Sequence, residues 1–198
     1  MVSLKRSLLL LCSLAAATAC SLKAPGLAAA TAEPAAACLP GERGFLRIGL
    51  RGAIDRDLEW RGAQLQCEGG ARPAGDGVRV SFSGSAADPA LKLRIVFGVA
   101  AKPGASAASN LPTNITVIVE GANRLYGTQG DDKCQVDAMV QEPLAGAAGP
   151  AGEHAFRIAA RGYCIGPAST LDGSAHLYIN RFDFAGIARF EDNDLHAH

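Results

Sequence analysis

The stretch ALKLRIVFGVA, residues 90 to 100, places Leu91, Leu93, Ile95, Phe97 and Val99 at every second position. Side chains alternate across a strand with a period of two, so this spacing gathers five apolar groups on one strand face. The rhythm recurs along the chain. FLRIGLR sets Leu46, Ile48 and Leu50 against Arg47 and Arg51, and GVRVSFSG sets Val78, Val80 and Phe82 opposite Arg79, Ser81 and Ser83. NITVIVEG places Ile115, Val117 and Val119 together. KCQVDAMV aligns Cys134, Val136, Ala138 and Val140, and EHAFRIAARGYC aligns Phe156, Ile158, Ala160 and Cys164. In SAHLYINRFDF the parity changes, from Leu177 and Ile179 to Phe182 and Phe184, which predicts a bulge near Asn180.

Turn-forming clusters such as AGDG at 74, KPG at 102, EGAN at 120 and TQGDD at 128 separate these runs. No repeat of fixed period appears, which argues against a solenoid or propeller. The pattern predicts an all-β domain over residues 38–190, an antiparallel β-sandwich or small barrel of about seven to nine strands. With 198 residues, 48% of them hydrophobic and 19% charged, the chain has room for one such core.

Charge excludes some partners. Lys plus Arg and Asp plus Glu balance at 19 each, and the basic residues are scattered among the acids. No basic field suited to nucleic acid is present.

The N-terminus reads differently. Met1 to Arg6 is a short positive region, followed by the apolar SLLLLCSLAAATA. That core has the length of a secretory signal and is too short to span a bilayer, which takes roughly 20 apolar residues. Six cysteines occur: Cys12, Cys20, Cys38, Cys67, Cys134 and Cys164. Cys12 leaves with the signal. If Cys20 serves another purpose, four remain, an even number suited to an oxidising compartment. Four cysteines allow three connectivities. Cys38–Cys67 and Cys134–Cys164 are favoured because neither needs a long closure, and each would contribute roughly 3 kcal/mol through the unfolded state. With both flanking strand faces apolar, a Cys134–Cys164 bridge is expected inside the core. No Cys-x-x-Cys spacing points to zinc.

Ala17-Thr18-Ala19-Cys20 resembles the lipobox of bacterial lipoproteins, although Ala17 stands where that family usually has Leu. The resemblance implies a signal peptide over 1–19, diacylation of Cys20, and cleavage that makes Cys20 the new N-terminus. It also implies a bacterial cell envelope, and Ser21 fits delivery to the outer membrane, facing the periplasm. Residues 20–37 then form a lipidated, Ala/Pro-rich tether, whose 17 residues after Cys20 reach at most about 55 Å.

Candidate chemistry is sparse. Asp55, Asp57 and Glu59 share one strand face, where they suit calcium or simply form a charged surface balanced by Arg56 and Arg61. Asp131 and Asp132, with Asp137 nearby, fall where turns recruit Asp. The acidic, His-bearing tail over 191–198 offers Asp194, His196 and His198 as metal ligands. Ser169, Asp172 and His176 lie within eight residues, without a Gly-x-Ser-x-Gly elbow. Asn114-Ile115-Thr116 matches a glycosylation sequon, without consequence in a bacterium. No motif calls for a cofactor, and no catalytic role is expected. The reading is an anchored binding or scaffolding module that contacts an envelope protein or glycan. The alternatives are a carrier of an apolar ligand, its opening covered by the loop from Ala100 to Pro112, and a metal-binding protein using the tail.

Overall fold

A computed structural model describes residues 38–73, 77–86, 90–146 and 149–196. The leader, Cys20, the tether and His198 lie outside them. The described chain forms twelve strands, two short 3-10 helices at Pro40–Glu42 and Gly62–Gln64, and one short α-helix. The strands are β1 (Phe45–Gly52), β2 (Arg56–Arg61), β3 (Gln66–Ala71), β4 (Val78–Ser85), β5 (Lys92–Val99) and β6 (Ala107–Ala108), then β7 (Leu111–Val119), β8 (Arg124–Gly127), β9 (Cys134–Pro143), β10 (Glu153–Cys164), β11 (Ala168–Ser169) and β12 (His176–Glu191). The helix α1 spans Asp192–His196. Among the described residues no helix is long and apolar enough to cross a membrane.

All pairings are antiparallel, as the alternating sequence requires. Some strands share a rank: β10 and β11 pair with one edge of β12, β9 and β8 with one edge of β7, and β6 with the edge of β9 that β7 also uses. Edge to edge the ranks are β2, β1, β12, β10 with β11, β9 with β8, β7 with β6, β5, β4 and β3. The twelve strands exceed the expected seven to nine, the excess lying in the short β6, β8 and β11, which share ranks with longer strands.

The sheet curls until β3 lies against the C-terminal half of β12, beyond the last β1 pair at Phe45↔Ala185. That approach requires glycine. A Cβ at Gly69 would sit 2.6 Å from the carbonyl oxygen of Ile187, and one at Gly186 would sit 2.8 Å from the Phe82 ring. Inside the curl, Phe82 of β4 and Phe97 of β5 meet Phe182 and Phe184 of β12. Ring centroids are 4.5 Å apart for Phe97 and Phe184, 5.1 Å for Phe97 and Phe182, and 5.2 Å for Phe82 and Phe184. All four side chains are buried. Trp60 crosses from β2 to donate its indole N–H to the Ser85 carbonyl at 2.8 Å, which closes one end of the core.

The long alternating runs fold as their pattern predicts. Leu93, Ile95, Phe97 and Val99 are fully buried, as are Val78, Val80, Phe82, Ile115 and Val117. The bulge near Asn180 is present: Ile48 pairs with Phe182 but Leu50 with Ile179, so Asn180 and Arg181 together oppose Gly49. A second bulge departs from the sequence reading. Arg161 pairs with Ala138 and Gly162 with Val136, leaving Asp137 over. Parity therefore flips along β9, so Met139 and Gln141 are buried where Ala138 and Val140 were expected, and Val140 is exposed.

Buried Gln141 needs partners, and it finds them in the loop that follows β5. Its amide donates to the Lys102 carbonyl at 2.8 Å, and its side-chain oxygen accepts from the Gly104 N–H at 3.0 Å. The segment from Ala100 to Pro112, expected as a loose cover, is thus pinned and in part forms β6.

Both favoured disulfides are present, Cys38–Cys67 and Cys134–Cys164. The second joins a cross-strand pair, with Cys134 buried and Cys164 half-buried. Cys134 belongs to the buried core cluster and Cys164 packs against it, where β9 begins and β10 ends. The C-terminal segment is more ordered than a frayed tail. β12 runs through Glu191, one residue past the expected domain end, and α1 follows with Leu195 packed on the core. The Asp192 N–H donates to the Gly152 carbonyl at 3.1 Å, and its carboxylate lies 2.8 Å from His154 Nε2.

Candidate functional site

The outer faces of β2, β1, β12, β10 and β9 form a groove of about 910 Å³. Its walls follow from the register. Glu59, Arg47, Asp183, Arg161 and Ala138 stand in one cross-strand row, and Asp57, Gly49, Arg181, Tyr163 and Gln135 in the next. Both bulges open into this groove. A regular strand turns alternate residues inward, but Asn180 and Arg181 both face solvent, as do Asp137 and Ala138 to differing degrees. Each bulge therefore adds one outward side chain: Arg181 from β12 and Asp137 from β9.

Charge is unevenly committed across the groove. On the β2 side, Arg51 binds Asp57 at 2.8 Å, Arg47 binds Glu59 at 3.2 Å and Arg61 binds Glu59 at 2.9 Å. The Arg51 hydrogen bond holds the Asp57 carboxyl below the usual carboxylate range, and Arg61 and then Arg47 do the same for Glu59. The acidic triplet Asp55, Asp57 and Glu59 is thus neutralised by Arg47, Arg51 and Arg61. Arg56, expected to contribute, instead donates to the Asp55 carbonyl at 2.7 Å. Arg47 also reaches Asp183 at 3.5 Å. Across β12 and β10 the pattern changes. Among the described residues, Arg161, Arg181 and Asp137 make no ion pair and no side-chain hydrogen bond.

Tyr163 joins this groove to a second hollow of about 490 Å³ beside the Cys134–Cys164 bridge. Pro112, Lys133 and Ile165 line it, and Ile165 is 81% exposed. One wall is held by a latch between distant segments. Arg72, just past β3, donates to both carboxylate oxygens of Asp131 at 2.9 and 3.2 Å, and Asn114 Nδ2 donates to the same group at 2.8 Å. Arg72 above all, then Asn114, lowers the Asp131 pKa. The Asp131, Asp132 and Asp137 clump is therefore dispersed: Asp131 ties a loop, Asp132 lines the second hollow and Asp137 lines the first.

The other candidates are placed as follows. Ser169 Oγ and His176 Nδ1 are 2.9 Å apart on a paired position of β11 and β12. Asp172 does not join them. Its carboxylate accepts from Thr170 Oγ1 at 2.6 Å and from the Ser174 N–H and hydroxyl, which lowers its pKa to about 2. The carboxylate shapes the turn at 170–174, and among the described residues no carboxylate bonds the His176 imidazole. Asp194 accepts from the Glu191 N–H at 3.0 Å, and His196 ends α1. Among the described residues no three His, Cys, Asp or Glu side chains are grouped to hold a metal ion. The four phenylalanine rings pack against one another inside the domain, and these two hollows open on the outer face.

Sequence reasoning did not single out Arg161, Tyr163, Arg181 or Asp183. One signal pointed at them: the parity change at Asn180, which marks where β12 presents an extra side chain. No family model, no curated protein and no solved structure matches this chain.

Proposed function

We propose that the protein is an exported bacterial lipoprotein, anchored through Cys20 to the outer membrane, whose β-domain binds an envelope ligand in the groove of the outer sheet face. It acts as a binding module and not as a catalyst. The observation that carries the anchored reading is cysteine parity. The four domain cysteines pair with one another, so Cys20, placed at the end of an apolar leader, has no partner among them. Disulfides of this kind persist in exported proteins, which agrees with that leader. The groove supports the binding reading: its volume suits a ligand, and three of its charged groups are uncommitted.

The test is intact-mass analysis of the protein from membranes under non-reducing conditions, with fractionation of a Cys20→Ser variant. The expected mass starts at Cys20, carries acyl groups and lacks the four hydrogens of two disulfides. The Cys20→Ser variant is expected in the soluble fraction with its domain folded. An unmodified Cys20, or a variant that stays membrane-bound, would overturn the anchor.

A further inference from the structure

We propose that the groove takes an acidic glycan: an extended, hydroxyl-rich chain bearing spaced carboxylates, laid across the strands with Arg161 and Arg181 on a carboxylate and Tyr163 against a sugar ring. This rests on the groove being the binding site.

Geometry first sets the ligand's direction. The groove runs from β2 across β1, β12 and β10 to β9, and through Tyr163 it continues to Pro112 of β7. Five inter-strand steps give a track of about 24 Å, which fits an oligomer better than a single small molecule. Edge availability then narrows the class. Along the track β1, β12, β10 and β9 are each paired on both sides. The outer edge of β2, at the end of the track, is unpaired, but the walls along the track are charged side chains and not apolar pockets for the alternate residues of an added strand. A ligand laid across β1, β12, β10 and β9 is held by side chains alone.

Charge complementarity sets the chemistry. Tyr163 pairs with Arg181 across β10 and β12, and Arg161 pairs with Asp183. Arg161 and Arg181 are therefore diagonal neighbours, about 7–8 Å apart at the backbone, close enough for both guanidinium groups to meet one anionic unit. A guanidinium presents a planar fork that matches a carboxylate, and among the described residues these two have no acidic partner of their own. Asp137, Asp183, Asp57 and Glu59 line the same track, which repels a dense polyanion such as a nucleic acid. The acids accept hydrogen bonds from hydroxyls, so carboxylates spaced along a sugar chain suit the alternation of cation and acid. Tyr163, 36% exposed, supplies the flat apolar face between the two hollows.

The test uses calorimetric titration of the mature domain with three probes: a hexasaccharide of uronic acids, a neutral hexasaccharide and a mixed-charge decapeptide. The uronate probe is expected to bind, and Arg161→Ala and Arg181→Ala each to weaken it about tenfold. Arg181→Lys should recover only part, since an ammonium lacks the fork, whereas Tyr163→Phe should bind as the parent does and Tyr163→Ala should not. Equal binding of the neutral probe, or binding of the peptide alone, overturns the glycan assignment. If no probe binds but an Arg161→Glu/Arg181→Glu variant loses a partner from envelope extract, the ligand class is wrong and the groove stands. If that variant keeps every envelope partner, the groove reading itself fails.

Discussion

Strands β5 and β12 lie on opposite walls of the same core and obey different rules. β5 keeps one face inward for its whole length: Leu93, Ile95, Phe97 and Val99 are all fully buried. β12 keeps its inward face only by shifting parity at Asn180 and Arg181. Regular alternation yields a core wall and leaves an ordinary outer face. The interrupted strand yields the same core wall, through Leu177, Ile179, Phe182 and Phe184, and in addition turns Arg181 into a groove. β9 repeats the device with Asp137. In this domain both kinds of strand build the core, and the irregular ones carry the candidate site as well.

That difference is testable from the strongest effect downward. Phe97→Ala or Phe184→Ala removes a fully buried ring from the aromatic cluster. Each is expected to cost about 3–5 kcal/mol in denaturant unfolding, whereas truncation of Arg161 or Arg181 should change stability by less than about 0.5 kcal/mol. A groove variant as costly as a core variant would break the comparison.

Opening the Cys134–Cys164 bridge with a double Cys→Ala change frees a loop of 30 residues in the unfolded chain. The expected loss is about 3–4 kcal/mol, read as a lower denaturant midpoint. Deleting Arg181 sharpens the comparison most. It should restore regular pairing with β1, leaving Asn180 alone opposite Gly49, keep the far-UV spectrum and cost at most about 2 kcal/mol, yet remove the groove guanidinium and with it groove binding. A deletion variant that still binds would show that the bulge is incidental.

The smaller effects concern the loop latch. Arg72→Leu should cost about 1 kcal/mol, because the pair is partly buried and bidentate. Its pH dependence has a defined sign. The folded-state pKa of Asp131 is lowered, so its contribution is fully present above the usual aspartate range and is lost as pH falls through the lowered value. Asp131→Asn should therefore weaken the domain at neutral pH and narrow its difference from the parent near pH 3. Unequal losses in the opposite direction would refute the latch.

Much of the architecture was legible in the sequence, for a physical reason. Period-two alternation is a local property, and β4, β5 and β7 bury the residues it selects. The disulfides were legible because parity and short closure leave few choices. What was not legible depends on pairing partners. Asp137 looks like any polar strand residue until its neighbours Arg161 and Gly162 fix the register that leaves it over. Asp131 reads as a turn residue, and only the fold brings Arg72 from 59 positions away to bind it. Ser169 and His176 do meet, but the third member, Asp172, is taken by its own turn, which no spacing rule reveals.

The most direct measurement is the change in backbone amide shifts when the uronate hexasaccharide is added to isotopically labelled mature domain. The largest shifts are expected at Arg161, Tyr163, Asn180, Arg181 and the bulge at Asp137, with the amides of β4 and β5 unmoved. Shifts centred on the core strands, on the 170–174 turn or on α1, with the groove silent, would contradict the assignment of binding to the interrupted strands.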